Sequence, residues 1–481
     1  MSSTSHFPDP VSFQKQSNDF LGWLTSRPGV RMNSNIRMAD LRSLNAGRGV
    51  VAQTDIPEGE ELFAIPRCLI LSVQNSKLPE LLSQNVDELG PWMSLMLVMI
   101  YEYLAGEKSA WYQYFKVLPR QFDTLMFWSP SELQELQGSA VVDKIGKQGA
   151  EESILETIAP IVRANPSIFP PIEGVSSYDG DAGTQALLHI AHMVGSLILA
   201  YAFDIGKTED EDEDGDGDGE DGYQTDEEEE QPAKGMVPMA DLLNADADRN
   251  NARLFQEEDF VMKAIKPIAA GEEIFNDYGE LPRADLLRRY GYVTDNYAQY
   301  DVVELSLSNI CQAAGLSNDD VESQPPLEFL AELDFLDDGY IIPRFSSEDP
   351  LPDVLPDELL LLLKTLALSP EQLEQQKSKN KPPKLAVGRP EMSILQKAVQ
   401  LKCSQYATNI ELDQGLLAEL NPMDATGPLE GSQRRLKMAV SVRIGEKEIL
   451  QKLSTQLDRL LSTKRSADDE EDSRRTKAQR T

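Results

Sequence analysis

The sequence predicts an α+β protein: a β-rich domain interrupted by a helical insertion and followed by an all-α domain. Three observations predict it. The segments AQTDIPEGEELF (Ala52–Phe63) and AIKPIAAGEEIF (Ala264–Phe275) share the pattern A-x-x-x-I-x-x-G-E-E-[L/I]-F. Between them lie long apolar stretches with helical rather than alternating spacing. From about Asp301 onward the apolar residues recur at helical intervals, with Pro-rich loops between.

Taken in order, residues 1–17 are polar and read as loose, and Phe20, Leu21, Trp23 and Leu24 form a helical stripe that Pro28-Gly29 stops. This N-terminal segment and helix occupy 1–29. The first part of the β-rich domain follows at 30–90. In each copy of the repeat a glycine (Gly59, Gly271) closes a turn between two strand-like runs, which reads as a pair of similar hairpins. Chance likeness of two G-E-E turns is the bland account. Membership of one interrupted β-domain is the preferred one.

The helical insertion spans 91–207. Pro91–Leu104 is apolar nearly all round and Leu187–Phe203 is similar, so both read as buried helices. The acidic linker, 208–234, holds fifteen acidic residues and no basic one between Glu209 and Glu230 and is expected to be disordered. The second part of the β-rich domain is placed at 235–300. The all-α domain covers 301–463, with amphipathic stretches at Asp357–Leu368, Glu391–Tyr406 and Gln433–Leu460. A mixed-charge tail, 464–481, carries Lys464-Arg465 and Arg474-Arg475-x-Lys477, which read as a nuclear signal or as a solvated tail.

Composition narrows the function classes. Hydrophobic residues make up 41% and charged residues 26%, as in ordinary globular domains. The net charge of −36 argues against a sequence-independent grip on nucleic acid and suits a basic protein partner. The run Leu359–Leu363 is far too short to cross a bilayer, the first residues lack a signal-peptide pattern, and no membrane association is expected. Cys68, Cys311 and Cys403 are widely spaced, so a Cys-rich zinc module is excluded and reduced thiols are expected.

The informative stretch is Gly235–Val293. Asp241 and Asn244 are short polar side chains set in the apolar run Met236, Val237, Met239, Leu242, Leu243. A buried Asn must have its donors and acceptors met, so Asn244 points to a bond network or a ligand. Asn276-Asp277-Tyr278-Gly279 ends a strand-like run with a phenol followed by glycine, which lets backbone come close. Other signals fall away. His189 and His192 share one helix face but find no further Cys or His for a zinc site, and no metal is expected. Gly217-x-Gly219-x-x-Gly222 follows no strand, and Asp210, Asp212, Asp214, Gly215 and Asp221 match a calcium loop only in part. Neither a P-loop nor a G-x-S-x-G elbow is present.

Together AGRGVVAQTDIPEGEELFAIP, MVPMADLLNADAD, GEEIFNDYG and LLRRYGYV resemble the SET-domain lysine methyltransferases. WYQYFKVLPRQFDTLMFW and VRIGEKEIL narrow the resemblance to the class with a helical insertion in SET and a C-terminal Rubisco-methyltransferase-type substrate-binding domain. The likeness runs from about Asp19 to Leu460, and the order of the pieces makes it specific.

The resemblance implies S-adenosylmethionine as cofactor. Ala46, Gly47, Arg48 and Gly49 would offer backbone to its methionyl part, Asn244 and Ala245 would bind it through backbone and amide, and Tyr201 and Tyr290 would line its pocket. Tyr278 would stand at the methyl-transfer pore as the catalytic residue and touch the substrate, with Trp111 near the substrate lysine. Ala245 departs from the family, which often has His after the Asn; binding survives that change if the His acts through its backbone. The implied activity is N-methylation of a protein lysine, monomethylation of a 60S ribosomal protein of the L42 type, in the nucleus or also the cytoplasm. Alternatives are a histidine ring or a histone lysine as acceptor, or a non-catalytic binder of basic proteins.

The chemistry suits these residues. Methyl transfer from sulfonium to amine is an in-line displacement, so alignment is the main requirement. A lysine must be neutral to attack, and with a pKa near 10.4 only about one in a thousand is neutral at pH 7.4. An apolar aromatic pore disfavours the ammonium. A phenol with a pKa near 10 is a poor base at neutral pH, so Tyr278 is expected to orient and polarise.

Overall fold

A computed structural model describes residues 9–44, 46–82, 85–206, 232–316, 324–385, 388–426, 429 and 431–478, without the side chains of 423–426 and 463–478. The chain folds into two units. The first comprises 1–127, 146–279 and 289–291, and the second 128–145, 280–288 and 292–481. The acidic tract Glu209–Glu230, with its glycine and calcium-loop look-alikes, lies outside the described residues.

The first unit is built on short antiparallel strands. In chain order β1 is Arg31–Met32, β2 Ile36–Asp40, β3 Arg48–Ala52, β4 Glu61–Pro66, β5 Ala202–Ile205, β6 Ala233–Met236, β7 Ala252–Gln256, β8 Asp259–Ala264 and β9 Glu273–Ile274. One sheet has the order β1-β4-β8-β7, a second β2-β3-β9, and β5 pairs with β6. Val50, Leu62, Phe63, Ile65, Phe260, Met262 and Ile274 are each at most 1% exposed and join one core. Burial of such apolar faces is what holds strands this short in place.

The repeat does not form two hairpins. Each copy leaves one sheet and enters the other: β3 pairs with β2 and β9, whereas β4 pairs with β1 and β8. The two copies instead pair with each other. Ile56 and Ile268 exchange both backbone hydrogen bonds, at 2.8 and 2.9 Å. Gly59 donates to the Ala264 carbonyl and Gly271 to the Ala52 carbonyl, both at 2.8 Å. Equivalent positions thus bond reciprocally, giving a local two-fold relation between distant segments. Both glycines adopt left-handed backbone, φ +82° and +85°, where other residues are strained.

The N-terminus differs from the expected loose segment. A helix runs over Pro10–Thr25, started by Asp9, whose carboxylate accepts from the amides of Val11 and Ser12 at 3.0 and 3.1 Å. It buries Phe13, Phe20 and Leu24. The insertion contributes the expected helices as Gly90–Ala105 and Gly180–Tyr201. The second is long and apolar enough to cross a membrane, but 56% of its most apolar window is buried inside the protein, as in a core helix. Two boundaries shift. Residues 202–205, assigned to the insertion, form β5, and Ala233 and Lys234, assigned to the linker, already belong to β6. The ladder between them fixes the end of the helix that carries Tyr201.

The second unit is helical, with one addition to the all-α expectation: β10, Val302–Ser306, pairs antiparallel with β11, Gly339–Pro343. Alternate residues Val303, Leu305, Tyr340 and Ile342 are buried against helices Asp357–Leu366, Arg389–Gln405 and the long Gly431–Ala478 helix. Residues 128–145, expected in the insertion, belong to this unit. Buried ion pairs brace it. Asp301 accepts from Arg283 Nη2 at 2.5 Å, and Asp413 accepts from Arg443 at 2.8 Å and Lys447 at 2.5 Å.

Candidate active site

Asn244 is the joint of the first unit's polar centre. Its side-chain amide donates to the carbonyls of Ala46 and Arg48, at 3.0 and 3.1 Å, and to Glu273 Oε1 at 2.7 Å. Its carbonyl accepts from the Asn276 amide at 2.9 Å, and Ala245 bridges Asn276 in parallel. The expected network around a part-buried Asn is therefore present, and it fastens the AGRG loop to the segment leading to Tyr278. Asn251 holds the same segment from the other side, donating to the Glu273 carbonyl at 3.0 Å and accepting from the Phe275 amide at 2.8 Å.

Gly49 is required by contact. A Cβ there would stand 2.5 Å from Leu41, 2.7 Å from Glu273 Oε1 and 3.0 Å from the Asn244 amide. Gly47 is different: its φ is +62° and a Cβ would meet nothing within 4 Å, so space lies open beside the loop. The Arg48 side chain turns away to Gln16, Val117 and Ser17, at 3.0, 3.1 and 3.2 Å, and lies over the Phe13 ring. Only the Arg48 backbone takes part in the Asn244 network.

The aromatic half of the site lies at the other end of this segment. Tyr278 and Tyr290 stack with ring centroids 4.4 Å apart and planes 10° from parallel. The Tyr278 hydroxyl donates to the Leu243 carbonyl at 3.3 Å, one residue before Asn244. Burial raises the Tyr290 phenol to about 12. Tyr201, at the end of its helix, is raised further by burial and then by the carboxyl of Asp241. Asp241 itself is 5% exposed and accepts a hydrogen bond from the buried Tyr114 hydroxyl, while its Oδ1 has no hydrogen-bond partner among the described residues. Burial pushes this carboxyl up to about 8, against the pull of the Tyr114 bond. The surroundings are thus phenolic and resist new charge.

The residues read from the sequence fall into two groups. Ala46 and Arg48 are bonded to Asn244 directly; Gly49 leaves room for the Asn244 amide, Gly47 lies within their loop, and Ala245 follows Asn244 in the chain. Tyr278 and Tyr290 meet face to face, and Tyr201 is coupled electrostatically to Asp241 and Tyr290. Trp111 is a core residue, 4% exposed, its indole N–H given to the Leu69 carbonyl at 2.8 Å. No contact among the described residues ties it to Tyr278. Glu273, Asn251 and Asp241 were not singled out as site residues. The isolated polar position in an apolar run was the signal for Asp241, and the repeat was the signal for Glu273, whose counterpart Glu61 pairs instead with Arg31.

A backbone loop with open space beside it, carbonyls, and uncharged aromatic faces fit a cationic sulfonium with a polar tail. They also fit a lysine chain entering as the neutral amine.

A family model for the SET domain matches residues 47–279, and one for the Rubisco LSMT substrate-binding domain matches 310–450. The chain is 35% identical over 312 residues to ribosomal lysine N-methyltransferase 4 of Saccharomyces cerevisiae, covering 63% of this chain and 60% of that protein. It is 27% identical over 463 residues to N-lysine methyltransferase setd6 of Xenopus laevis, covering 90% and 93%. Among solved structures, Rubisco LSMT bound to AdoMet matches with a TM-score of 0.64 at 23% identity, over 93% of this chain and 92% of that one, which shows the fold.

Proposed function

We propose, on the premise that the chain belongs to the SET-domain family carrying a Rubisco LSMT-type substrate-binding domain, that it is a protein-lysine N-methyltransferase and monomethylates a lysine of a 60S ribosomal protein of the L42 type. S-adenosylmethionine is the cofactor and, when bound, supplies an electrophilic methyl group on a sulfonium. In this reading Ala46, Gly47, Arg48, Gly49, Asn244 and Ala245 hold it through backbone and amide, and Tyr201 and Tyr290 wall its pocket. Tyr278 receives the substrate amine, orients its lone pair and polarises it. The stacked phenols exclude water and disfavour the ammonium, so the lysine sheds its proton on entry.

The observation that carries the ribosomal reading is the 35% identity to the yeast enzyme, whose name states its class of substrate. The net charge of −36 supports it, because basic ribosomal proteins are attracted by such a surface. A second reading keeps the chemistry and changes the target to a lysine of another basic protein, such as a histone. It is favoured by relatives named only as N-lysine methyltransferases, which match over 90% of the chain. A nuclear site of action, shared with the cytoplasm, is supported by the basic clusters at Lys464-Arg465 and Arg474–Lys477.

Mass spectrometry of ribosomal proteins from cells with and without the gene tests the target. Loss of one methyl group from an L42-type lysine is the expected result. An unchanged ribosomal methylation pattern moves the assignment to the second reading.

A further inference from the structure

Arg48 faces two ways. Its main-chain carbonyl accepts from the Asn244 amide at 3.1 Å, while its guanidinium leaves the loop for the N-terminal helix, Pro10–Thr25. There Nε donates to Ser17 Oγ at 3.2 Å, and Nη2 donates to Gln16 Oε1 at 3.0 Å and to the Phe13 carbonyl at 3.5 Å. Nη1 donates to the Val117 carbonyl at 3.1 Å. Every one of these acceptors is neutral. Burial, and then the charge of Arg42, lowers the Arg48 pKa to about 10. A guanidinium taken out of water without a carboxylate is costly unless its donors are met, so the groups that meet them dictate where it sits.

Phe13 completes the arrangement. Phe20 and Leu24 of the same helix join the apolar core of the unit, but Phe13 does not. Its ring is 1% exposed, and the guanidinium carbons of Arg48 and Arg42 lie 3.9 and 4.2 Å from its centre. A ring face attracts each cation, and Asp40 offsets their mutual repulsion by taking Arg42 through Nε at 2.7 Å and Nη2 at 2.5 Å. Arg42 and Arg48 bracket the turn that contains Ala46 and Gly47. Leu41 closes that turn, its amide donating to the Gly47 carbonyl at 2.8 Å and its carbonyl accepting from the Ala46 amide at 3.1 Å. Asn244 and the helix therefore grip one turn through different groups of Arg48. The helix lies outside the residues matched to the SET domain, 47–279. We propose that Phe13, Gln16 and Ser17 are positioning residues for the cofactor: through Arg48 and Arg42 they hold the Ala46–Gly49 backbone in the shape that S-adenosylmethionine meets. The proposal rests on the reading above that this loop carries the cofactor. A loop ordered in advance spares the ligand the entropy of ordering it, so release of the hold shows as weaker binding.

The test uses the full chain with Phe13→Leu, which keeps an apolar side chain and removes the ring, and Gln16→Ala at a half-buried helix position that tolerates alanine. Isothermal titration of S-adenosylmethionine is expected to show a Kd raised about three- to tenfold in Phe13→Leu, the worth of one or two cation–π contacts, and a smaller rise in Gln16→Ala. In steady state the cofactor KM rises with Kd, while kcat on the acceptor protein stays within about twofold because the reacting groups are untouched. Hydrogen exchange is expected to quicken in 41–49 and to stay as it was in 273–276. Parent affinity in both folded variants overturns the proposal. So does a loss of kcat with cofactor KM unchanged, which general loosening of the fold would give. Exchange is read without cofactor and so separates the two claims. A parent that binds no S-adenosylmethionine overturns the cofactor reading, whereas unchanged exchange in 41–49 overturns the hold itself.

Discussion

Ile56 and Ile268 exchange both of their backbone hydrogen bonds, at 2.8 and 2.9 Å, and so join two parts of the first unit separated by the whole helical insertion. The flanking bonds from Gly59 to Ala264 and from Gly271 to Ala52 repeat the arrangement on either side. This pairing sets β3 beside β9 and so brings Glu273 within reach of Asn244.

Gly271 has φ +85° and open space where a Cβ would go, so Gly271→Ala suffers only backbone strain. A loss of about 1–2 kcal/mol is expected, read by thermal or urea unfolding, with a similar loss for Gly59→Ala at φ +82°. Unchanged stability in both variants would mean that the reciprocal turns do not carry the junction.

Removing the Asn244 amide leaves the Ala46 and Arg48 carbonyls and Glu273 without their common donor. Asn244→Ala is expected to lower stability by about 1–3 kcal/mol. The loss should be accompanied by faster hydrogen exchange in 41–49 and 273–276, because both segments lose one anchor. A stability loss without change in exchange at either segment would place the role of Asn244 elsewhere.

The Tyr278 hydroxyl touches the Leu243 carbonyl and its ring rests on Tyr290. Tyr278→Phe keeps the ring stack and removes only the hydroxyl. Turnover is expected to fall about 10²- to 10³-fold, in the range of one lost hydrogen-bonding group at a reacting centre, with cofactor affinity within about twofold of the parent. Equal rates for variant and parent would remove the hydroxyl from the mechanism.

Asp241 has a folded-state pKa of about 8, raised from 3.8 by burial. Between those values the folded protein keeps a proton that the unfolded chain releases. Its contribution is therefore favourable below the unfolded value and is lost as pH rises towards 8. Asp241→Asn retains an acceptor for Tyr114 and has no such dependence. Its stability relative to the parent is expected to climb between pH 5 and pH 8, by up to about 1.4 kcal/mol per pH unit. A flat difference across that window would show that the carboxyl is ionised throughout.

Much of this was legible in the residues themselves. The β-domain interrupted by helices followed from the repeat, and the membership of Asn244 in a network followed from a polar residue in an apolar run. What the repeat could not show was its pairing. A G-E-E turn between two strand-like runs looks the same whether the runs fold back on each other or leave for different sheets. The β10–β11 pair was hidden because Val302–Ser306 abuts a helix and its partner lies beyond another. The place of Trp111 could not be read from the sequence, because an aromatic cluster reads alike in a core and at a pore. Its indole N–H, spent on Leu69, is visible only in three dimensions.

The central claim is that the loop Ala46–Gly49, fastened by Asn244, holds the methyl donor against the Tyr278–Tyr290 stack. Isothermal titration of S-adenosylmethionine into the full-length parent and Asn244→Ala proteins tests it most directly. Saturable binding by the parent, weakened at least tenfold in the folded variant, is the result expected. Absence of heat in the parent at high micromolar cofactor, or equal affinity in both proteins, would contradict it.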